Sequence, residues 1–139
     1  MSARDVAEGW FKAVGNADRA AVVGYVTPDT EFSVPGAPSL RGVEAIAAFV
    51  DGYLTAFPGA GFTMDNVWEH GNTAIVEGTY IGTHTGVMRT PDGQEIPPTG
   101  KSVTLPFVAI FDADGATIRS NRVYWDNMGF MAQLGLMPS

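Results

Sequence analysis

The sequence contains no cysteine. That excludes disulfides, thiolate metal sites and a cysteine nucleophile. Histidine is nearly as scarce. His70 and His84 are the only two, and they do not stand at a metal-ligand spacing, so no metal centre is expected. Positive charge is also short, with eight Lys and Arg against 15 Asp and Glu and a formal net charge of -7. No Lys/Arg-rich run offsets it, so nucleic acid and anionic membrane surfaces are disfavoured as partners. No apolar stretch approaches the ~20 residues of a membrane span. Asp5 and Glu8 fall where a signal peptide needs an apolar core. These absences predict a soluble, cytoplasmic protein.

What is present fits a folded domain. A chain of 139 residues, 45% of them hydrophobic, is long enough to bury a core, and one domain over residues 1–139 is expected. Ser2, with Asp5 three residues on, opens a helix whose Val6, Trp10 and Val14 recur every four residues. Asp18 caps a second, short helix that Pro28 stops. A short strand over 30–34 follows. A strongly patterned helix over 43–57 then carries Ile46, Phe49, Val50, Tyr53, Leu54 and Phe57 on one stripe. Beyond residue 60 the period changes from helical to two. Strands are predicted over 62–70, 73–85, 101–111 and 116–126, joined by turns that include Gly71-Asn72, Pro91-Asp92-Gly93 and Asp112-Ala113-Asp114-Gly115. Phe130, Leu134 and Leu136 suggest a closing helix or tail. Helices followed by a meander indicate α+β, with helices on one face of a curved antiparallel sheet and an apolar interior open at one end. Phe107, Ala109 and Phe111 occupy one face of the third of these strands and Val108 and Ile110 the other, so the outer face wants a partner and a homodimer is expected.

Several chemical motifs fail on inspection. Thr99-Gly100-Lys101-Ser102 would need a glycine where Glu95 stands, and a strand follows it where a phosphate loop needs a helix. Asp112-Ala113-Asp114-Gly115 lacks the later ligands of a calcium loop. Two residues remain. His84 sits in Gly82-Thr83-His84-Thr85-Gly86, alternating with Tyr80 and Gly82 on one strand face, where the glycines leave room for a ligand; the other reading is a surface or satisfied core histidine. Asp126 closes Val123-Tyr124-Trp125-Asp126-Asn127-Met128. Its neighbours Val123, Tyr124, Trp125, Met128 and Phe130 are mostly apolar, so desolvation would raise its pKa and make it a usable base, on a strand face shared with Ile118, Ser120, Arg122 and Tyr124. Its alternatives are an ion pair with Arg122 or a cap for the last helix.

Gly82-Thr83-His84-Thr85-Gly86, Pro97-Pro98-Thr99-Gly100-Lys101, Tyr124-Trp125-Asp126 and Gln133-Leu134-Gly135, in this order and spacing, resemble the SnoaL-like polyketide cyclase (ester cyclase) family. That family belongs to the NTF2-like superfamily, with the ketosteroid isomerases and limonene epoxide hydrolases. The resemblance implies a cone of curved sheet with N-terminal helices on its concave face, a dimer through the open sheet face, and no cofactor. It also implies that Asp126 removes a proton beside a carbonyl for an aldol-type ring closure, with His84 assisting. Tyr53, Trp68, Tyr80, Phe107 and Tyr124 are expected to shape the cavity for a mostly apolar carbonyl compound, which is cyclised or isomerised. One alternative is epoxide hydrolysis by a carboxylate pair, for which Glu77 or Glu69 would supply the second member. Another is a non-catalytic ligand-binding or dimerisation module.

Overall fold

A computed structural model of the chain describes residues 1–89 and 93–137. Pro91 and Asp92 of the expected turn lie outside the described residues. The elements run α1 (Ala3–Gly15), α2 (Arg19–Gly24), β1 (Glu31–Ser33), β2 (Leu40–Arg41), α3 (Val43–Ala56), β3 (Gly61–His70), β4 (Thr73–Thr83), β5 (Met88–Arg89), β6 (Glu95–Ile96), β7 (Ser102–Asp114), β8 (Thr117–Trp125) and α4 (Asn127–Gln133).

Local chemistry starts each early helix. At α1, Ser2 Oγ accepts the Asp5 N–H and the Asp5 carboxylate accepts the Ser2 N–H, both at 3.1 Å, so two orphan donors are satisfied reciprocally. Asp18 accepts the Ala21 N–H at 3.1 Å to start α2. Gly42, at φ 89°, leads into α3 without a side-chain cap. The two-residue strands β2, β5 and β6 are too short to carry any periodicity, which is why the sequence pattern passes over them.

β3, β4, β7 and β8 form the expected antiparallel meander, and β1 adds parallel to β8. The sheet order is β2-β1-β8-β7-β4-β3, with β5-β6 a separate hairpin. The result is an α+β fold with a curved, non-closed sheet and N-terminal helices on its inner face. That face carries Ala74, Val76 and Tyr80 of β4 and Leu105, Phe107, Ala109 and Phe111 of β7, all buried. α1 lies against it through Phe11, whose ring centroid is 5.2 Å from Phe62, 5.3 Å from Phe107 and 5.6 Å from Phe111. Burial of each such ring is worth about 1.5–3 kcal/mol. Among the described residues, no helix is long and apolar enough to cross a membrane.

Two β-bulges decide which side chains face inward. On β3 the register shifts between Met64 and Asn66, leaving Asp65 as the extra residue. On β8, Ser120 pairs with Asp112 but Ile118 pairs with Ala113, leaving Arg119 extra. A bulge reverses the alternation beyond it. Trp68 and Tyr124 therefore point to the outer face of the sheet, where they are 54% and 55% exposed. Neither shapes the interior, contrary to expectation. Ser120 and Arg122 also face outward. Asp112 Oδ2 accepts from Arg122 Nη1 at 2.7 Å and from Ser120 Oγ at 2.8 Å, and Asp112 Oδ1 accepts from Thr73 Oγ1 at 2.7 Å. Partial burial pushes the Asp112 carboxyl up, but the donors from Thr73, Arg122 and Ser120 outweigh it and hold the pKa below the usual value.

Candidate functional site

A cavity of about 100 Å³ lies between the inner face of the sheet and the helices α1 and α3. Its walls are largely aromatic: Trp10 and Phe11 from α1, Phe49 and Tyr53 from α3, Phe107 from β7 and Trp125 from β8. These aromatic positions sit at helical spacing on the helices and at alternate positions on the strands, so the periods that build the core also build the cavity. Of the cavity residues expected from sequence, Tyr53, Tyr80 and Phe107 line it. Among the described residues, no Asp, Glu, His, Lys or Arg lines it.

Among the described residues, the Trp10 indole N–H and the side-chain polar atoms of Tyr53, Tyr80 and Asn121 line the cavity without hydrogen-bond partners, and the last three are the stronger groups. The Tyr53 and Tyr80 hydroxyls make no hydrogen bond among the described residues, and their rings are 6.4 Å apart. Burial pushes Tyr53 up to about 12 and Tyr80 higher still, with the neighbouring Tyr53 adding to the rise at Tyr80. Both hydroxyls therefore stay protonated at neutral pH and act as donors. The third is Asn121, 1% exposed, whose Nδ2 and Oδ1 both lack a partner. Leaving such groups unpaired in a fold costs about 1–3 kcal/mol each. Trp125 differs, since its indole N–H already donates to Asn127 Oδ1 at 3.2 Å.

A larger groove of about 840 Å³ adjoins the cavity, between the 34–40 loop, α3, the β5-β6 hairpin and α4. The two spaces share Val34, Phe49, Tyr53 and Phe130 as wall residues.

His84 is fully buried but does not line the cavity. The ring of Phe57 lies 5.3 Å from it and also contacts Tyr80 and Phe130 at 5.8 Å each, so Phe57 stands between the imidazole and the cavity wall. Nδ1 accepts the Thr99 backbone N–H at 3.2 Å and lies 3.0 Å from Thr99 Oγ1. An accepting Nδ1 means a neutral ring with its proton on Nε2, and that nitrogen is buried without a partner. Desolvation lowers the His84 pKa, with the Gly86 backbone opposing in smaller measure. The His84 main chain is pinned as well: its N–H donates to Lys101 O at 2.9 Å and its O accepts from the Gly100 N–H at 2.8 Å.

The glycines around His84 are filled rather than open. A Cβ on Gly82 would stand 3.1 Å from Ala60 Cβ and 3.3 Å from Phe57 Cδ1, so no ligand space exists there. At Gly86 a Cβ would collide with the Thr55 carbonyl oxygen, because the chain crosses the end of α3, where the Gly86 N–H donates to Ala56 O at 3.1 Å.

Asp126 is exposed and is the N-cap of α4, accepting the Gly129 N–H at 2.9 Å. Such caps are worth about 1 kcal/mol. Asp126 lines neither the cavity nor the groove, and the structure does not bring it together with His84. The expected desolvating neighbours fail it because Tyr124 and Met128 are themselves exposed, at 55% and 68%. Glu77 accepts from Asn66 Nδ2 at 2.8 Å and Glu69 from the Arg4 backbone N–H at 2.7 Å; both are exposed and away from the cavity. Among the described residues, no group of three His, Asp or Glu side chains is placed to hold a metal ion.

Sequence reasoning missed Asn121. Its signal was the alternation Asn121, Val123, Trp125, an apolar strand face with one amide in it, legible once the bulge at Arg119 is known.

Comparison with known proteins adds the following. Residues 7–121 match the family model of the SnoaL-like domain. A search of the curated proteins found no significant match. Among solved structures, the chain is similar to a candidate SnoaL-like polyketide cyclase from Jannaschia sp. CCS1, with a TM-score of 0.84, 21% identity and coverage of 98% of this chain and 93% of that one. It is also similar to IdmH, a candidate polyketide cyclase from Streptomyces antibioticus, with a TM-score of 0.80, 20% identity and coverage of 97% and 99%. A protein from Catenulispora acidiphila with a ketosteroid isomerase-like fold, in complex with trimethylamine, gives a TM-score of 0.78 at 16% identity, covering 95% of this chain and 93% of that one. At these identities the likeness is one of fold.

Proposed function

The chain belongs to the SnoaL-like domain family, and from that premise we propose that it takes a mostly apolar carbonyl compound into the cavity between sheet, α1 and α3. Tyr53 and Tyr80 donate hydrogen bonds to the carbonyl oxygen. Donors held in place on an apolar wall polarise a carbonyl more strongly than freely reorienting water does, and stabilise the negative charge that grows on oxygen when a neighbouring C–H ionises. That serves a SnoaL-type cyclisation or an isomerisation. The observation that carries this reading is the pair of partnerless tyrosine hydroxyls, held protonated by burial, on an apolar wall.

An aspartate base at position 126 finds no support in this geometry, nor does an epoxide-hydrolysing carboxylate pair built on Glu77 or Glu69. In our reading Asp126 caps α4 and His84 clasps the 99–101 loop to the end of β4. The lack of any titratable carboxylate or imidazole on the cavity wall favours a second reading, in which the domain binds and polarises its ligand without transforming it.

Acetophenone labelled with ¹³C at the carbonyl is a suitable probe, because it combines one apolar ring with one acceptor. Bound to the protein, its carbonyl resonance is expected downfield of its position in an apolar solvent. In Tyr80→Phe, which keeps the ring and removes the donor, the shift should shrink while binding persists. An unchanged shift in both Tyr80→Phe and Tyr53→Phe would overturn the reading.

A further inference from the structure

We infer that Asn121 is the specificity-determining residue of the cavity, and that it selects a neutral ligand group carrying a hydrogen-bond donor beside an acceptor. The inference rests on the cavity reading above and adds to it a second polar anchor.

Asn121 sits on the inner face of β8, with Phe32 of β1 and Phe111 of β7 as its partners in register. It lines the cavity, is 1% exposed, and neither its Nδ2 nor its Oδ1 has a partner. A primary amide presents one donor and one acceptor side by side in a plane. The group that satisfies both at once has the same pair in reverse: a carboxamide, a lactam, an un-ionised carboxylic acid, or an enol beside a carbonyl. A ketone or ether meets only half of it, and a hydrocarbon none. Charged groups are disfavoured because no lining side chain carries an opposite charge to offset their loss of water.

Along the sheet, Asn121 is offset from Tyr80. It is level with Phe111 on β7, whereas Tyr80 is level with Leu105, six residues along the same strand since 111 − 105 = 6. At ~3.3 Å per residue that is a contour of roughly 20 Å. A ligand that meets both anchors is elongated, with an apolar middle against Phe49, Phe107 and Trp125. A single-ring ligand engages one anchor at a time.

Benzamide, acetophenone and ethylbenzene have similar shapes and offer a donor with an acceptor, an acceptor alone, and neither. Their affinities would be measured by calorimetry on the wild-type chain and on Asn121→Leu, an apolar replacement of similar size. Wild type is expected to bind benzamide at least about tenfold more tightly than ethylbenzene, since a site with paired polar groups rejects ligands that leave them unpaired. In Asn121→Leu benzamide should lose its advantage over acetophenone, because the tyrosines offer both carbonyls the same donors. Equal binding of benzamide and acetophenone by wild type, both tighter than ethylbenzene, would overturn the inference and leave the cavity reading standing. A benzamide preference over acetophenone that survives in Asn121→Leu would also overturn it, because the selection would then lie elsewhere. Failure of all three to bind would overturn the cavity reading and the inference with it. Should Asn121→Leu not fold, the Asn121 side-chain ¹⁵N–¹H signals of wild type decide the matter. They should move on adding benzamide and stay on adding ethylbenzene, and movement with neither would contradict the inference.

Discussion

An imidazole enclosed by Phe57 and the 99–101 loop has no water to solvate a second proton, and its Nδ1 is already committed as an acceptor of the Thr99 N–H. Protonating it would destroy that hydrogen bond and bury a charge. The folded-state pKa of His84 lies below the ordinary 6.5, so in the window between the two values the unfolded chain binds the extra proton and the folded chain does not. His84 therefore contributes fully to stability above pH ~6.5, and that contribution is lost as pH falls from there toward the folded value. Thermal melts of wild type should weaken over this window, and His84→Gln, less stable at pH 7.5, should show less of this slope. An NMR titration of the imidazole giving a pKa above 6.5 would contradict the account. The same sequence feature, a histidine between glycines, fitted a catalytic role and a structural one equally well. Close packing decides between them, because Gly82 and Gly86 are small to let Phe57 and the Thr55 carbonyl approach.

At the scale of elements, the meander, the three N-terminal helices and the closing helix were legible because each repeats its apolar residues at its own period. The faces of β3 and β8 were not, because one extra residue in each inverts the alternation and no residue type announces it. Asp65 and Arg119 look like ordinary strand residues. Trp68, Tyr124, Arg122 and Ser120 all lie beyond a bulge, and all were assigned to the wrong side by counting in twos. On β4 and β7, where the pairing runs unbroken from Thr73↔Asp112 to Thr83↔Ser102, counting placed Tyr80 and Phe107 on the inner face where they are found. This yields a test. Deleting Arg119 should remove the bulge and leave Asn121, Val123 and Trp125 inward and Arg122 and Tyr124 outward, so the variant should keep a cooperative unfolding transition as followed by near-UV circular dichroism. Arg119→Ala keeps the bulge and removes only an exposed side chain, so its stability should stay within about 0.5 kcal/mol of wild type. A deletion variant that loses cooperative unfolding or brings Tyr124 into the interior would show that the extra residue does not account for the inverted faces.

For the whole molecule, the outer face of the sheet is a surface that the cavity does not explain. Trp68, Ile75, Ile81 and Tyr124 are exposed on it, at 54%, 37%, 51% and 55%, around the Arg122–Asp112 ion pair. Exposed apolar side chains gathered on one sheet face mark a contact surface, and we propose a homodimer formed through it. Sedimentation equilibrium at micromolar concentration should give twice the 14.7 kDa of one chain, and Trp68→Glu should shift the equilibrium toward one chain. A 14.7 kDa species alone in wild type would refute the dimer without touching the cavity, which is built within one chain. The central claim concerns that interior, and isotope-filtered NOE spectroscopy of the labelled protein with unlabelled acetophenone tests it most directly. The account predicts NOEs from the ligand ring to Tyr53, Tyr80, Phe107 and Trp125. NOEs confined to groove residues such as Ala45 and Met88, or to Asp126 and its neighbours on the outer surface, would contradict it.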